Sequence, residues 1–368
     1  MKKVLIINDG NSIGGGVIVT NRIVNYIREH YSSDVDIKVL SPFDGLEDLP
    51  KERKISVRVF NIFDEYLFYP TSFIRLIKSI REVDIVHFHN VWTFSSLIPL
   101  FLSFLLRKII ISTQHAMPGD PCKKGIQKVI MATRHSVIIQ CIALIPKTVV
   151  FLTNAQKNEF LKRTLFKSSL SKKSIIIPNC LSKSYLQKKQ QVSQKRMKLL
   201  YVGRLSYSKG FDTMLALITE LGLIDCCYTI VGKVKEDDLL MRMKRLQEIG
   251  YPVTYVEVVE SNDMVCYYDS NDVLIVPSCS EVSPLVVLEA KARGLSIVIS
   301  DIPGMNECVV EGENGFRFTL LDAKEAACKV RALRNDSGLM HYISENNNKN
   351  AEAQTLDKIV PQVLELYS

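Results

Sequence analysis

Two glutamates, Glu281 and Glu289, lie in a segment that is predicted to link a strand to a helix. The apolar run 273–276 predicts a buried strand, a short polar turn follows, and a helix begins directly after the turn. Glu281 lies in the turn, and Glu289 lies about one and a half turns along the helix. One carboxylate is therefore placed to contact a sugar, and the other to accept hydrogen bonds from ribose hydroxyls. The alternative is a capped core helix with two incidental acidic residues.

The first turn of the same helix is predicted to bind an anion. Ser283 is a good N-cap, and Pro284 suits the first helical position because its φ is already helical. The amides of the first turn, including those of Leu285 and Val286, then lack partners inside the helix. They point towards the carboxyl end of a parallel strand, where a diphosphate would bind.

A second segment supplies positive charge. The strand candidate 199–202 is followed by Gly203, and Arg204 and Lys209 lie in the loop after it. Arg204 offers a planar fork for phosphate oxygens, and Lys209 a mobile point charge. Both would oppose the negative charge that develops on a departing diphosphate. The alternative is a solvated surface loop.

A glycine run in the first half of the chain follows the first predicted strand. Gly14, Gly15 and Gly16 precede a helix, and we interpret them as a close backbone approach to a phosphate or an acceptor. The alternative is a tight strand-to-helix turn. A nicotinamide dehydrogenase is disfavoured, because the third glycine of the dinucleotide fingerprint is missing and the second strand does not end in an acidic residue.

Histidines are concentrated in the same half of the chain. His87 and His89 share one face of a predicted strand, which leaves a zinc site open as an alternative, although no third ligand is obvious. His89 is interpreted as lining the acceptor side, with an ordinary core histidine as the alternative. The pattern Asp34-Val35-Asp36 opens a strand and is interpreted as a turn or cap. No metal ion is predicted.

These residues need a scaffold of parallel strands. Short β-branched runs alternate with helix-length segments along the chain, which predicts doubly wound α/β sheets. A length of 368 residues suits two domains. We predict an N-terminal acceptor-binding domain over 1–182, a linker over 183–198, a nucleotide-sugar-binding domain over 199–355 and a C-terminal helix over 356–368 that returns to the first domain.

Together these segments resemble the retaining GT-B glycosyltransferases of family 4, also called glycosyltransferase group 1. The family pattern reads G-R-L-x-x-x-K-G, then P-S-x-x-E, then a second Glu in L-E-A. The chain matches this pattern at Gly203-Arg204-Leu205, Lys209-Gly210, Pro277-Ser278, Glu281 and Leu288-Glu289-Ala290. Further matches are Ile177-Pro178-Asn179, Gly294 and Asn314-Gly315.

The resemblance implies two Rossmann-like domains facing an interdomain cleft. It also implies transfer of a hexose, with retention, from a UDP-sugar (favoured) or a GDP-sugar to a glycan or a lipid-diphosphate-linked acceptor, without cofactor or metal. Arg204 and Lys209 would contact the diphosphate, Glu281 the sugar and Glu289 the ribose. His115, after the strand candidate 108–113, matches a histidine that the family places near the donor sugar. The implied nucleotide-sugar site comprises Gly203, Arg204, Lys209, Glu281, Ser283, Pro284, Leu285, Val286 and Glu289.

The chain departs from the family pattern at two places. Val282 and Ser283 stand where the family often has glycine beside the first Glu, and Glu257 stands where glycine is common near the base. The fit of the donor sugar depends on these positions. A nucleotide-sugar epimerase or hydrolase, or a nucleotide-binding protein without activity, is the alternative on the same fold.

Charge and hydropathy bear on partners and compartment. Residues 1–190 contain 28 Lys and Arg against 14 Asp and Glu, yet no nucleic-acid-binding motif is visible. The most apolar stretch, 94–106, is too short to span a bilayer and predicts a buried helix, with a membrane-touching helix as the alternative. The nine cysteines show no C-x-x-C pair and no signal peptide is apparent, which indicates the cytoplasm. Reversible contact with an anionic membrane is a further hypothesis.

Overall fold

The computed structural model describes residues 1–8, 15–41, 49, 54–57, 59–62, 65–119, 125–186, 196–223, 226–260 and 263–368. They form two units. The first comprises the described residues up to 180 together with 356–368, and the second comprises those of 181–355. Gly14 and the middle of the predicted linker, 187–195, lie outside the described residues.

The first unit is built on a seven-stranded parallel sheet. Its strands and those of a separate hairpin are β1 Lys2–Asn8, β2 Val35–Ser41, β3 Lys54–Ser56, β4 Val59–Ile62, β5 Glu65–Phe68, β6 Ile85–His89, β7 Ile109–Thr113, β8 Thr148–Phe151 and β9 Ser174–Ile176. The sheet order is β3-β2-β1-β6-β7-β8-β9, and β4 pairs with β5 in the hairpin. The direction of strand addition reverses between β1 and β6, and such switch points are where α/β sheets bind ligands.

Six helices of the first unit connect these strands. They are α1 Gly15–His30, α2 Pro70–Arg81, α3 Phe94–Leu105, α4 Gly125–Leu144, α5 Asn154–Arg163 and α6 Lys167–Lys172. Every residue of β6 is buried, as expected for a central parallel strand that is covered on both faces. Leu76, Leu100 and Ile139, from α2, α3 and α4, pack into one apolar cluster beneath the sheet. Burial of each such side chain contributes about 1.5–3 kcal/mol.

The second unit has a six-stranded parallel sheet. Its strands are β10 Met197–Val202, β11 Cys226–Val231, β12 Val253–Val256, β13 Val273–Val276, β14 Ser296–Ser300 and β15 Gly315–Phe318. Its helices are α7 Phe211–Leu221, α8 Asp237–Glu248, α9 Met264–Asp269, α10 Leu285–Ala292, α11 Ala323–Asn335 and α12 Ser337–Glu352. The order β12-β11-β10-β13-β14-β15 places a switch point between β10 and β13.

The last helix, α13 Leu356–Glu365, packs against α1 of the first unit. Its buried residues lie on one face at helical spacing. They are Leu356, Ile359, Val360 and Val363. The α/β fold with two doubly wound parallel sheets is thus confirmed.

The structure corrects the prediction that 94–106 forms a buried helix. Helix α3 is present, but its phenylalanines are exposed, and Ser95, Ser96 and Ser103 are buried instead. Two of these serines are paired locally: Ser96 forms a capping box with Thr93, and Ser103 donates to the carbonyl oxygen of Pro99 at 2.7 Å. Local pairing lets small polar side chains face the sheet.

Candidate functional site

The loop after β10 is held by a buried tyrosine. The hydroxyl of Tyr201 donates to the carbonyl oxygen of Arg204 at 2.8 Å and lies 3.4 Å from that of Lys209. A buried phenol needs such a partner, and here it ties both ends of the basic loop to the strand. The guanidinium of Arg204 is exposed and makes no hydrogen bond or ion pair with the residues that the structure describes. The loop therefore presents Arg204 outward at the carboxyl edge of the sheet.

The basic loop packs directly on the turn that follows β13. Gly210 has a left-handed backbone (φ 65°), and a β-carbon there would clash with the carbonyl oxygen of Pro277. Only glycine permits both that conformation and that approach. The amide of Cys279 also donates to the carbonyl oxygen of Ser208 at 3.0 Å. The two predicted segments therefore form one surface across the switch point of the second sheet.

The structure brings Lys209 and Glu281 into a direct ion pair. Lys209 Nζ lies 2.5 Å from Glu281 Oε1, and Ser278 Oγ donates to the same oxygen at 3.3 Å. The side chains of Lys209 and Glu281 are 27% and 16% exposed, so the pair is partly shielded from water. A β-carbon at Gly304 would clash with the carbonyl oxygen of Glu281, so the absence of a side chain there allows that contact. The pair therefore joins the basic loop to the turn before α10.

The prediction for the start of the helix is wrong by one residue. Pro284 has φ −66° and ψ 125°, so its backbone is extended, and α10 begins at Leu285. Ser283 consequently lies one residue before the N-cap position, and no side chain caps the helix. The amides of Val287 and Leu288 bond to the carbonyl oxygen of Pro284. Within the described chain, the amides of Leu285 and Val286 have no acceptor, which leaves them open to an anion.

Glu289 lies inside the unit beneath this helix start. It is only 6% exposed, and Oε2 accepts a hydrogen bond from the hydroxyl of Tyr268 at 2.9 Å. Tyr268 lies on α9 and is fully buried, so the sequence offered only an apolar helix as a signal for it. This bond holds the carboxylate against α9. Glu257 follows β12 and is exposed at the carboxyl edge of the same sheet.

The predicted residues of the first unit meet at its own switch point. Gly15 and Gly16 begin α1, His89 ends β6, and His115 follows β7. A β-carbon on Gly16 would lie 3.1 Å from Cγ of His115, so the ring packs on the glycine. His89 Nδ1 lies 2.8 Å from Thr20 Oγ1 and 3.0 Å from His115 Nε2. The structure thus joins three sequence candidates in one cluster.

The hydrogen bonds around Thr20 assign the proton of His115. The hydroxyl of Thr20 donates its single hydrogen to the carbonyl oxygen of Gly16 at 2.7 Å, so it accepts from His89 Nδ1. The same N–H faces His115 Nε2, which therefore accepts as well. Neutral His115 then carries its proton on Nδ1. Among the described residues this atom is buried without a hydrogen-bond partner.

Asn90, which the sequence analysis missed, holds His115 from behind. Its Oδ1 accepts from the backbone amide of His115 at 2.6 Å and from Trp92 Nε1 at 3.2 Å. Its own backbone is left-handed, with φ 69°. Asparagine tolerates this conformation better than most residues, and the cost of such a position is of order 1–3 kcal/mol. The only available signal was its place directly after a predicted strand.

His87 is hydrogen-bonded at both of its ring nitrogens. Its Nδ1 lies 2.8 Å from the hydroxyl of Tyr367 and its Nε2 lies 2.7 Å from Thr113 Oγ1, so both ring nitrogens are occupied. In the part of the chain that the structure describes, no group of three or more His, Cys, Asp or Glu could hold a metal ion. A small cavity beside this cluster is lined by all three histidines and by Ile359 and Val363 of α13.

The histidines of this cluster are neutral in the folded protein. Burial, and secondarily the charge of His115, lowers the pKa of His87 to about 3, and burial lowers the pKa of His115 to about 4. Burial and the two neighbouring histidines hold the pKa of His89 well below its usual range. The cluster therefore acts through neutral imidazoles near pH 7.

Acid is expected to destabilise the first unit through these histidines. The unfolded chain binds protons below about pH 6.5, whereas folded His87 and His115 bind them only near pH 3–4. The free energy of unfolding therefore falls as the pH drops through this window, by about 1.4 kcal/mol per pH unit for each histidine. Urea unfolding at pH 7 and pH 5 measures this, followed by the fluorescence of Trp92, the single tryptophan. His87→Gln should reduce the dependence of the unfolding free energy on pH, whereas the exposed control His341→Gln should not. Equal pH dependence in the two variants would contradict the role given to the buried histidines.

The chain is similar in sequence to known glycosyltransferases. Residues 183–350 match the family model for glycosyl transferases group 1. An uncharacterized glycosyltransferase of Haemophilus influenzae is 30% identical over 220 residues, which cover 58% of this chain and 59% of that protein. The capsular polysaccharide biosynthesis glycosyltransferase CapM of Staphylococcus aureus is 26% identical over 168 residues, covering 45% and 44%. The matches thus span only about half the length of these curated relatives.

Solved structures match over nearly the whole chain. Anabaena Alr3699/HepE in complex with UDP-glucose has a TM-score of 0.79 and 16% identity, with 99% of each chain covered. Sucrose-phosphate synthase from Thermosynechococcus elongatus has a TM-score of 0.76 and 18% identity, with 100% and 98% covered. At this level of identity the likeness shows the fold.

Proposed function

Because residues 183–350 match the family model for glycosyl transferases group 1 and the chain has the GT-B fold, we propose that the protein is a retaining hexosyltransferase. It takes the sugar from a nucleotide diphosphate, with UDP-sugars favoured and GDP-sugars possible. The acceptor is a hydroxyl of a glycan or of a lipid-linked oligosaccharide in bacterial surface polysaccharide synthesis. The UDP-glucose bound by the Anabaena protein and the role of CapM in capsule synthesis support this choice.

The observation that carries the proposal is the convergence of charge at the second switch point. Arg204 and Lys209 lie in the loop after β10, this loop packs on the turn before α10, and Glu281 in that turn is paired with Lys209. A diphosphate is the ligand whose charge and size suit two cations and a helix start. Glu289, deeper in the unit, is placed to accept hydrogen bonds from the ribose. Gly203 gives the nucleotide close access to the backbone.

In the proposed reaction, the leaving diphosphate departs and the acceptor attacks on the same face of the sugar. The diphosphate takes the proton of the acceptor hydroxyl. Arg204 and Lys209 stabilise the charge that grows on the leaving group, which is the task of a metal ion in other enzymes. Glu281 orients the sugar. The reaction needs no metal and no cofactor in this proposal.

The first unit contributes the acceptor side of the reaction. Gly15, Gly16 and His89 shape the surface in this proposal, and neutral His115 lies on the side of the donor sugar. We place the protein in the cytoplasm, at the inner face of the membrane when the acceptor is lipid-linked.

Asn90 is expected to act as a positioning residue for His115. Asn90→Gly keeps the left-handed backbone but removes the amide acceptor, so His115 loses its anchor. We expect kcat to fall about 10-fold or more while nucleotide affinity stays unchanged, because small misplacements of a contacting group are costly. Asn90→Asp retains both hydrogen bonds and is the matched control. His115→Ala should reproduce the loss in kcat. Equal activity of the Gly and Asp variants would remove this role.

The proposal is tested by screening nucleotide sugars by thermal shift and then measuring nucleotide release with and without acceptor glycans. A donor at 100 times its Kd stabilises the protein by about 2.7 kcal/mol. Release that depends strongly on the acceptor supports transfer, while release without an acceptor indicates a hydrolase. Binding without turnover indicates the non-catalytic alternative, and sugar interconversion an epimerase. Activity that is abolished by EDTA and restored by manganese would contradict the metal-free mechanism.

A further inference from the structure

Helix α3 of the first unit exposes a large part of its apolar surface. Its outward face carries Phe94, Phe101, Phe104 and Leu105, whereas Leu100, Pro99 and three serines are buried. Phe104 is 57% exposed and Leu105 is 72% exposed. A surface helix of a globular protein normally buries its apolar face and exposes its polar one. The exposed phenylalanines face away from the core of this unit, so its folding does not explain why they are apolar.

The apolar face continues onto the neighbouring elements. Helix α2 and strand β5 both pack against α3. Ile74 on α2 is 66% exposed, and Leu67 and Tyr69, at and just after the end of β5, are also exposed. We call α2, α3 and residues 67–69 the apolar face. Exposed apolar side chains grouped on elements that pack together mark an interaction surface.

A basic row runs along this apolar face. Arg75, Lys78 and Arg81 lie at three-residue intervals on α2 and are exposed. Neither α2 nor α3 contains an acidic residue. Glu82, just after α2, forms a loose ion pair with Lys78 at 3.9 Å and offsets part of the charge. Lys108 Nζ donates to the carbonyl oxygens of Arg81 and Val83, which fixes the end of α3 beside the basic row.

The apolar side chains and the basic row together indicate what kind of partner this face binds. Apolar rings beside a cationic row match the boundary between acyl chains and anionic headgroups, where each Lys or Arg contributes about 1 kcal/mol. A neutral apolar partner would not match the positive charge of α2. In the described part of the chain, no helix is long and apolar enough to cross a membrane. Such a surface would therefore bind at the interface.

We propose that the apolar face of the first unit docks on the surface of an anionic lipid bilayer, with the phenylalanines of α3 inserted among the acyl chains and the basic row of α2 on the headgroups. The inference rests on that part of the proposed function which places the acceptor on a membrane lipid. Docking carries the first unit to the acceptor and needs no donor nucleotide.

The test is sedimentation of the full-length protein with vesicles. Phosphatidylcholine vesicles containing phosphatidylglycerol are compared with pure phosphatidylcholine vesicles, at low and high salt and without nucleotide. We expect binding to the anionic vesicles that weakens with salt. Phe104→Ser combined with Leu105→Ser should lower the affinity at least ~10-fold, since each exposed side chain loses its apolar burial. Arg75→Gln combined with Arg81→Gln should lower it at least ~10-fold at low salt.

Matched controls on the second unit keep the test specific. Ile249→Ser removes an equally exposed apolar side chain, and Lys235→Gln combined with Lys244→Gln removes two exposed cations. Both controls should bind vesicles like the original protein. Equal binding to both vesicle types, no binding, or unchanged binding by the α3 variant would overturn the proposal. A dimer in solution that the α3 variant abolishes would also overturn the proposal, because a second copy of the chain would then cover the apolar face. If the protein did not bind vesicles but still transferred sugar to a soluble acceptor, the docking proposal would be wrong and the proposed function would stand.

Discussion

Replacing Lys209 with alanine is expected to lower kcat/KM for sugar transfer at least ~10²-fold, and replacing Arg204 is expected to do the same. Each change removes a preorganised cation that opposes the charge on the leaving diphosphate. The loss at Lys209 has a second component, because Glu281 is left without its partner at 2.5 Å. Steady-state kinetics with the donor identified by thermal shift measures both losses.

The ion pair between Lys209 and Glu281 allows the two components of the loss at Lys209 to be measured separately. If Lys209 acts partly by orienting Glu281, the double variant Lys209→Ala with Glu281→Gln should lose less than the sum of the single losses, with a coupling of about 0.5–3 kcal/mol. Arg204, which makes no ion pair with described residues, should combine additively with Glu281→Gln. Lys235→Ala, an exposed cation of the same unit, is the control. Near-original activity in either single variant would contradict the proposed chemistry of the leaving group.

The second large effect is a split between the two glutamates. Glu289→Gln is expected to weaken nucleotide binding about 10-fold with kcat nearly kept, because a ribose contact is similar in the ground and transition states. Glu281→Gln is expected to lower kcat with little change in nucleotide affinity, because it holds the sugar as charge develops at the anomeric carbon. Nucleotide titration and saturation kinetics separate the two.

The glutamine variants are chosen because of the surroundings of Glu289. Removing this buried side chain altogether would take away the acceptor that Glu289 offers to the hydroxyl of Tyr268, at a cost of about 1–3 kcal/mol. Tyr268→Phe should therefore weaken nucleotide binding in the same direction as Glu289→Gln. Glu248→Gln, an exposed acidic residue on α8, serves as the control. If both glutamate variants lowered kcat alone, the ribose assignment of Glu289 would be wrong.

Much of the fold followed from local patterns. The apolar runs in both halves predicted the central parallel strands, since strands buried on both faces need continuous apolar sequence. Strand β15 was missed because only four residues form it and Arg317 interrupts the pattern at the edge of the sheet. The hairpin β4–β5 was also not predicted, although its second strand contains the apolar run 66–68.

The start of α10 and the burial of α3 show where local rules are insufficient. Ser283 and Pro284 satisfy the preferences for a helix start, yet the extended backbone continues through Pro284, and the helix begins one residue later. Hydropathy predicted burial for α3, but which face meets the sheet depends on the local pairing of its serines. Both outcomes were set by contacts rather than by residue preferences.

The sequence by itself determined the fold class, the order of the two parallel sheets along the chain, and the residue types at the strand ends, because these depend on periodicity and on neighbours in the chain. Only the tertiary structure decided which of those residues meet. Lys209 and Glu281 are far apart in the chain and become an ion pair because their strands, β10 and β13, are adjacent at the switch point. Gly16, His89 and His115 form one cluster because β1, β6 and β7 lie side by side. Strand order across a sheet depends on packing between distant segments, which no local pattern records.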